Sequence, residues 1–237
     1  MPFTREHHQK IAHVLESLNH EKLSNAHCYF GGGTAIALKY DEFRESVDID
    51  FMVSDIVGYR QLRSDATDPG GLANLFSNLG QIDASHDVRA DQYGIRSVVK
   101  IMGSSIRFEI VLEGRIPFDQ SGDTDKIHGV QCLTVADLIA SKLLANSDRW
   151  GDVSVFSRDL IDLVMMRFTA HEWQSGFAKS TTAYGESIHR DLIKACDAFI
   201  GKPMHVQGCL SRLKMNIPPT VLVDKVRDLK SLLNKKL

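Results

Sequence analysis

The sequence predicts an α+β fold, with strands and helices mixed in the front half and helices alone in the back half. Three observations predict it. Residues 47–53 alternate cleanly between apolar and polar side chains, the two-residue period of a half-buried strand. Residues 95–102 and 106–112 are strand-like segments on either side of Gly103-Ser104-Ser105, a hairpin pattern. Beyond a polar, glycine-containing stretch at 117–129 the apolar spacing turns helical and stays so. That stretch divides the chain into a mixed domain at 1–130 and a helical domain at 131–237.

Taken in order, residues 5–23 place Ile11, Val14, Leu15 and Leu18 at helical spacing and read as one helix. A short apolar run at 27–30 leads into Gly31, Gly32 and Gly33, and residues 34–40, rich in Ala and Leu, read as a short helix. In the strand at 47–53, Val47, Ile49, Phe51 and Val53 point one way, and Asp48, Asp50 and Met52 the other. Residues 54–72 carry Asp, Gly, Ser and Pro and read as a loop or insert, with a helix at 72–79. In the back half, helices are expected at about 134–147, 157–169, 171–200 and 220–235. Pro218 and Pro219 set off the last of them.

Composition excludes several classes. With 237 residues, 43% hydrophobic, 24% charged and a net charge of −2, the chain is neither disordered, collagen-like nor a disulfide-stapled miniprotein. No apolar run approaches the roughly 18 residues that span a bilayer. The first ten residues, MPFTREHHQK, hold no apolar stretch of the signal-peptide kind. Cys28, Cys132, Cys196 and Cys209 lack paired zinc spacing, so four reduced thiols in a cytoplasmic protein are expected. The ten histidines show no metal spacing, and Trp150 and Trp173 read as packing residues. Residues 202–237 carry eight Lys or Arg against two Asp, a net +6 that leaves −8 on the rest. A basic tail on an acidic body is either a nucleic-acid contact or a solvated helix face.

The chemistry concentrates in two places. Asp48 and Asp50, two apart on a strand, project from one face, where their repulsion serves no folding purpose. Such a pair suits Mg²⁺, which takes oxygen ligands from one or two carboxylates plus substrate phosphates. Gly31, Gly32, Gly33 and Thr34 lie between a strand and a helix, where bare backbone N–H groups and the helix dipole form a phosphate cradle. Neither the Walker A spacing nor the Gly-x-Gly-x-x-Gly fingerprint is matched, since no Gly-Lys-Ser/Thr follows and position 36 is Ile.

Together the two places carry more. Phe30-Gly31-Gly32-Gly33-Thr34 followed by Val47-Asp48-Ile49-Asp50-Phe51 resembles the nucleotidyltransferase superfold of DNA polymerase β. The resemblance implies a mixed-sheet nucleotidyltransferase core and a third carboxylate on a neighbouring strand. Glu109, opposed to Ile106, Phe108 and Ile110, fits; the alternative for it is a surface acid paired with Arg107, and Glu113 is the competing candidate. More narrowly, Gly-Gly-Gly-Thr-x-x-x-Leu and then Arg44-x-Ser46-x-Asp48-Ile49-Asp50-Phe51 resemble the AbiEii/AbiGii-type nucleotidyltransferase toxin family, over about residues 27–166. That family has a later lysine, here Lys142, and a later aspartate, here Asp159 or Asp162. Read on its own, Lys142 falls inside the apolar arc of its helix and must snorkel out or meet a negative partner. Asp159 and Asp162 share a face one turn apart, or Asp159 complements the helix dipole with Ser157 as cap. Arg44 and Arg158 bind phosphate or pair with these acids.

The resemblance implies metal-dependent transfer of an NMP from an NTP to a hydroxyl. Asp48, Asp50 and Glu109 would hold Mg²⁺ or Mn²⁺, and Glu109 or Asp159 would help remove the acceptor proton. Gly31, Gly32, Gly33, Thr34, Arg44 and Asp162 would line the nucleotide site, and Lys142 would neutralise the triphosphate. It also implies the toxin of a toxin–antitoxin or phage-defence pair, with an antitoxin partner and an RNA 3′ end, such as tRNA, or a protein as acceptor. The competing readings are transfer to a small molecule such as an aminoglycoside, and a non-catalytic nucleotide- or RNA-binding module.

Overall fold

The computed structural model describes residues 3–234. The chain divides into two compact units: one runs to Lys39 and resumes over Ser46–Thr134, the other joins Tyr40–Glu45 to the chain from Val135 onward. The fold is α+β, with a mixed sheet in the first unit and a helical C-terminal region.

The first unit is built on a sheet ordered β1 (Cys28–Phe30), β2 (Ile49–Val53), β6 (Ser104–Leu112), β5 (Gly94–Ile101), β3 (Ile82–Asp83), with β4 (Arg89–Ala90) also paired to β5. β2 and β6 run parallel, and the other pairs are antiparallel. Alternation decides the faces. Ile49, Phe51, Val53, Val99, Ile106, Phe108 and Ile110 enter one core with Ile11, Val14 and Leu15 of α1 (Glu6–Ser17) and Leu23 of α2 (His20–Asn25). Asp50, Arg107 and Glu109 fall on the opposite side. Val47, expected on the apolar side, is 46% exposed, because the strand begins only at Ile49.

Other differences have local causes. The helix expected at 5–23 breaks at Leu18, where Asn19 caps α2 by accepting from the Lys22 N–H. The expected loop at 54–72 contains α4 (Ile56–Thr67), capped by Asp55 and burying Tyr59, Leu62 and Ala66. Its Gly58 suggests a loop, but a Cβ there would lie 2.2 Å from Ala26 O, so glycine serves close packing rather than a turn. The helix expected at 72–79 is a single 3₁₀ stretch, Gly71–Leu75. The β5–β6 turn is Met102-Gly103, both at positive φ, which puts Ser104 and Ser105 in the strand. A second small hairpin, β7 (Lys126–Ile127) with β8 (Val130–Gln131), starts in the expected boundary stretch and ends just past it.

The second unit gathers α5 (Val135–Arg149), α6 (Arg158–Met165), α7 (Ala170–Tyr184), α8 (Ser187–Ile200), α9 (Pro203–Arg212) and α10 (Pro219–Asn234). α5 packs against α6, α7 and α8. Gly176 permits the α5–α7 approach, since a Cβ there would be 2.5 Å from Ala136 O. The helix expected at 171–200 is two, broken at Gly185 with φ 61°, and α9 was not expected at all. The last basic residues, Lys235 and Lys236, and with them the end of the helix expected at 220–235, lie outside the described residues. Among the described residues no helix is long and apolar enough to cross a membrane. All four cysteines are buried and free.

Candidate active site

The segment that delivers Asp48 is tied down on both sides. Ser46 donates its N–H to His8 Nε2 at 3.1 Å, and His7 Nε2 lies 3.0 Å from Val47 O, so α1 holds both residues. From α3 (Gly32–Lys39), Thr34 donates its hydroxyl to Ser46 Oγ at 2.7 Å. Thr34 is fully buried, and its side chain orders this segment. The sequence held no signal for the part played by His7 and His8.

Asp50 sits in register with Glu109 on the parallel neighbour β6, so the two carboxylates share a face one strand apart. The glycine bend is at the same place. Gly31 donates its N–H to Asp50 O at 2.9 Å. Gly32 has φ +66°, and a Cβ on it would lie 2.7 Å from Asp50 Oδ2. Only glycine meets both demands, the left-handed backbone and the space beside the carboxylate. The helix that starts here leaves its first N–H groups without intrahelical partners and points its positive end at the bend.

Asp48 Oδ2 accepts from Arg107 at 2.7 Å. The same guanidinium lies 3.8 Å from Glu109, whose other ion pair is with Arg96 at 3.6 Å. Burial works to lower the Arg107 pKa, but Asp48, Glu109 and Asp50 together hold it above the ordinary arginine value. One cation therefore feels all three acids. The expected Glu109–Arg107 pairing is present, but the shorter contact is to Asp48. Glu113 is 5% exposed and is occupied by Arg115, which donates from Nε at 2.8 Å and from its backbone N–H at 2.8 Å. Between the candidates for a third carboxylate, Glu109 is the one in register with Asp50.

For a divalent cation the donor set is small. Among the described residues no three His, Cys, Asp or Glu side chains gather as a metal site. Mg²⁺ requires fewer, since it uses one or two carboxylates and completes its shell with water and phosphate oxygens. Asp50 beside the bare Gly32, with Asp48 and Glu109 around one guanidinium, meets that requirement.

The lysine and aspartate of the helical half lie in the second unit, in a chain of alternating charge. Arg44 grips Asp162 through two nitrogens at 2.7 and 3.0 Å. Lys142 reaches Asp162 at 2.7 Å and Asp159 at 3.0 Å. Arg149 closes the chain on Asp159 at 2.7 and 3.0 Å. Lys142 is 6% exposed and Asp162 fully buried. Both aspartates, offered by the sequence as alternatives, thus serve the same lysine. Burial opposes ionisation of Asp159, but Lys142 and Arg149 outweigh it and hold the carboxyl well below the usual range. Arg149 was missed, although it stands two turns beyond Lys142 on α5, a spacing that returns it to the same face. Ser157 does not cap α6: it makes no cap hydrogen bond, has φ +49°, and its hydroxyl lies 2.9 Å from His205 Nε2.

The family model described as "Nucleotidyl transferase AbiEii toxin, Type IV TA system" matches residues 13–226. No protein with a curated description matches the chain. Two solved structures from Helicobacter pylori share the fold. JHP933 is 17% identical with a TM-score of 0.51, covering 99% of this chain and 94% of that one. A protein provisionally assigned as a nucleotidyltransferase is 16% identical with a TM-score of 0.50, covering 97% and 94%.

Proposed function

The chain belongs to the AbiEii nucleotidyltransferase toxin family of type IV toxin–antitoxin systems, and from that premise we propose that it moves an NMP from an NTP to a hydroxyl on RNA, such as a tRNA 3′ end, or on a protein. The observation that carries the reading is the register of Asp50 with Glu109 beside Gly32, which supports a cation and a polyphosphate at one bend. Asp48, Asp50 and Glu109 would hold Mg²⁺ or Mn²⁺, and the bound ion would offset phosphate charge. The amides of Gly32, Gly33 and Thr34 at the start of α3 would receive phosphate oxygens.

For the acceptor proton, Glu109 is the better of the two candidate bases. Asp159 is bound by two cations and held strongly ionised, so it binds a proton weakly at neutral pH. Lys142 spends two of its three N–H groups on Asp159 and Asp162. Physiologically this chain would be the cytoplasmic toxin partner of an antitoxin protein.

The test is incubation with each labelled NTP, Mg²⁺ and total RNA. Label should enter RNA with the natural chain and fall by at least about 10²-fold with Asp48→Ala, the loss typical of removing one transition-state charge contact. Equal labelling by Asp48→Ala would remove the cation role. Label entering aminoglycosides instead of RNA or protein would establish the small-molecule reading.

A further inference from the structure

The acids of the sheet face are already served by a cation of the protein's own. Arg107 reaches Asp48 at 2.7 Å and Glu109 at 3.8 Å, and its side chain is half exposed to solvent. It stands on β6 two residues before Glu109, so the alternation that points Glu109 at Asp50 points Arg107 to the same face. No apolar packing demands an arginine there, and the opposite side of this strand supplies the core through Ile106, Phe108 and Ile110. An exposed ion pair of this kind is weak, about 1 kcal/mol or less, so a stronger cation displaces it readily.

We propose that Arg107 is a partner-exchanging positioning residue: without substrate its guanidinium neutralises Asp48 and Glu109, and when a divalent cation and nucleotide enter it leaves the carboxylates and grips the polyphosphate. This rests on the reading of Asp48, Asp50 and Glu109 as the cation-holding set. The chemistry of both partners suits arginine. A planar guanidinium binds carboxylate and phosphate oxygens with the same fork of N–H groups. The exchange gives the site a compensating charge in both states. In the bare site Arg107 offsets part of the acids' charge, and the loaded site has more positive charge at the carboxylates and more negative charge at the phosphates. It also discourages loading by metal alone, since a lone divalent ion must displace Arg107 without offering it a new anion.

The two states predict effects of opposite sign in one variant. In Arg107→Gln, nucleotide-free Mn²⁺, followed by electron paramagnetic resonance of the free ion, should bind about fivefold tighter than in the natural chain, the size of a lost exposed ion pair. In the same variant the KM for NTP at saturating Mg²⁺ should rise about tenfold, with a smaller change in kcat, as for a lost charge-assisted contact to phosphate. Arg107→Lys should restore the Mn²⁺ affinity of the natural chain and only part of the KM. A variant that simply damages the sheet weakens both binding steps, and that result, or no change in either, overturns the exchange. Asp48→Asn separates the two levels. If it lowers Mn²⁺ affinity while Arg107→Gln leaves it unchanged, the cation site stands and the role of Arg107 falls. If Asp48→Asn leaves Mn²⁺ binding unaltered, the cation site and the exchange built on it fall together.

Discussion

The first unit keeps Asp48 and Glu109 on an open sheet face, with side chains 29% and 18% exposed, against arginines that are themselves about half exposed. The second unit keeps Asp159 and Asp162 inside a helical core, gripped bidentately by Arg149 and Arg44 and bridged by Lys142. Both are carboxylates beside cations, yet solvent access separates their physical roles. On the open face the pairing energy is small, so the acids are available to an ion from outside. In the helical core the two aspartates have lost their water, and their cations stand in for it. The same residue types therefore give a replaceable charge grouping in one unit and a structural one in the other.

The contrast breaks most clearly at Asp162. Asp162→Asn leaves Arg44 and one arm of Lys142 facing a neutral amide inside the protein. Removing one partner from a buried ion pair costs about 3–5 kcal/mol. Unfolding stability in urea should fall accordingly, whereas Asp48→Ala, expected to cut labelling by at least about 10²-fold, should lower it little, by ~0.5 kcal/mol. If Asp162→Asn proves as mild as Asp48→Ala, the distinction between the two acid groups is lost.

Gly32 is the point where the open site itself is rigid. Gly32→Ala forces a side chain into left-handed backbone and sets its Cβ against Asp50 Oδ2, a cost of about 1–3 kcal/mol. Asp50 must move to make room, so NTP transfer should fall by more than the stability change accounts for. Gly103→Ala supplies the control. Gly103 also has positive φ but has open space where a Cβ would go, so it should lose stability with no loss of transfer.

How much of this was legible in the sequence follows from the range of the forces involved. Period-two alternation placed Asp50 and Glu109 opposite the buried residues of their strands, because a strand's faces are a local property. The glycine bend was legible for the same reason. What joined Asp50 to Glu109 was register between strands far apart in the chain, and a single sequence carries no register; the family resemblance supplied that link. The α4 helix was hidden because Gly58 and the Pro69-Gly70-Gly71 run mimic loop chemistry, although Gly58 is dictated by contact with Ala26. Lys142 inside an apolar arc called for a way out to solvent or a negative partner, and it meets two aspartates. That the partner is two aspartates held in turn by Arg44 and Arg149 depends on tertiary packing, which helical spacing does not encode.

Lys142 sharpens the comparison at lower amplitude. Lys142→Met removes the bridging cation but leaves Asp159 with Arg149 and Asp162 with Arg44, so no aspartate is orphaned. With each aspartate still on its arginine, no buried charge is left uncompensated, and a loss of about 1 kcal/mol is expected in urea unfolding, well short of Asp162→Asn.

The smallest effect is the one with pH. The Asp159 carboxyl ionises more readily folded than unfolded, so its contribution to stability is fully present above the unfolded carboxylate value of about 4 and is lost as pH falls through its lower folded value. Between pH 5 and 8 the network then contributes a constant amount. The stability difference between the natural chain and Asp159→Asn should be flat over that range and shrink only below about pH 4. A difference that already declines between pH 7 and 5 would mean that Asp159 takes up a proton near neutrality, and it would return Asp159 to contention with Glu109 as the group that receives the acceptor's proton.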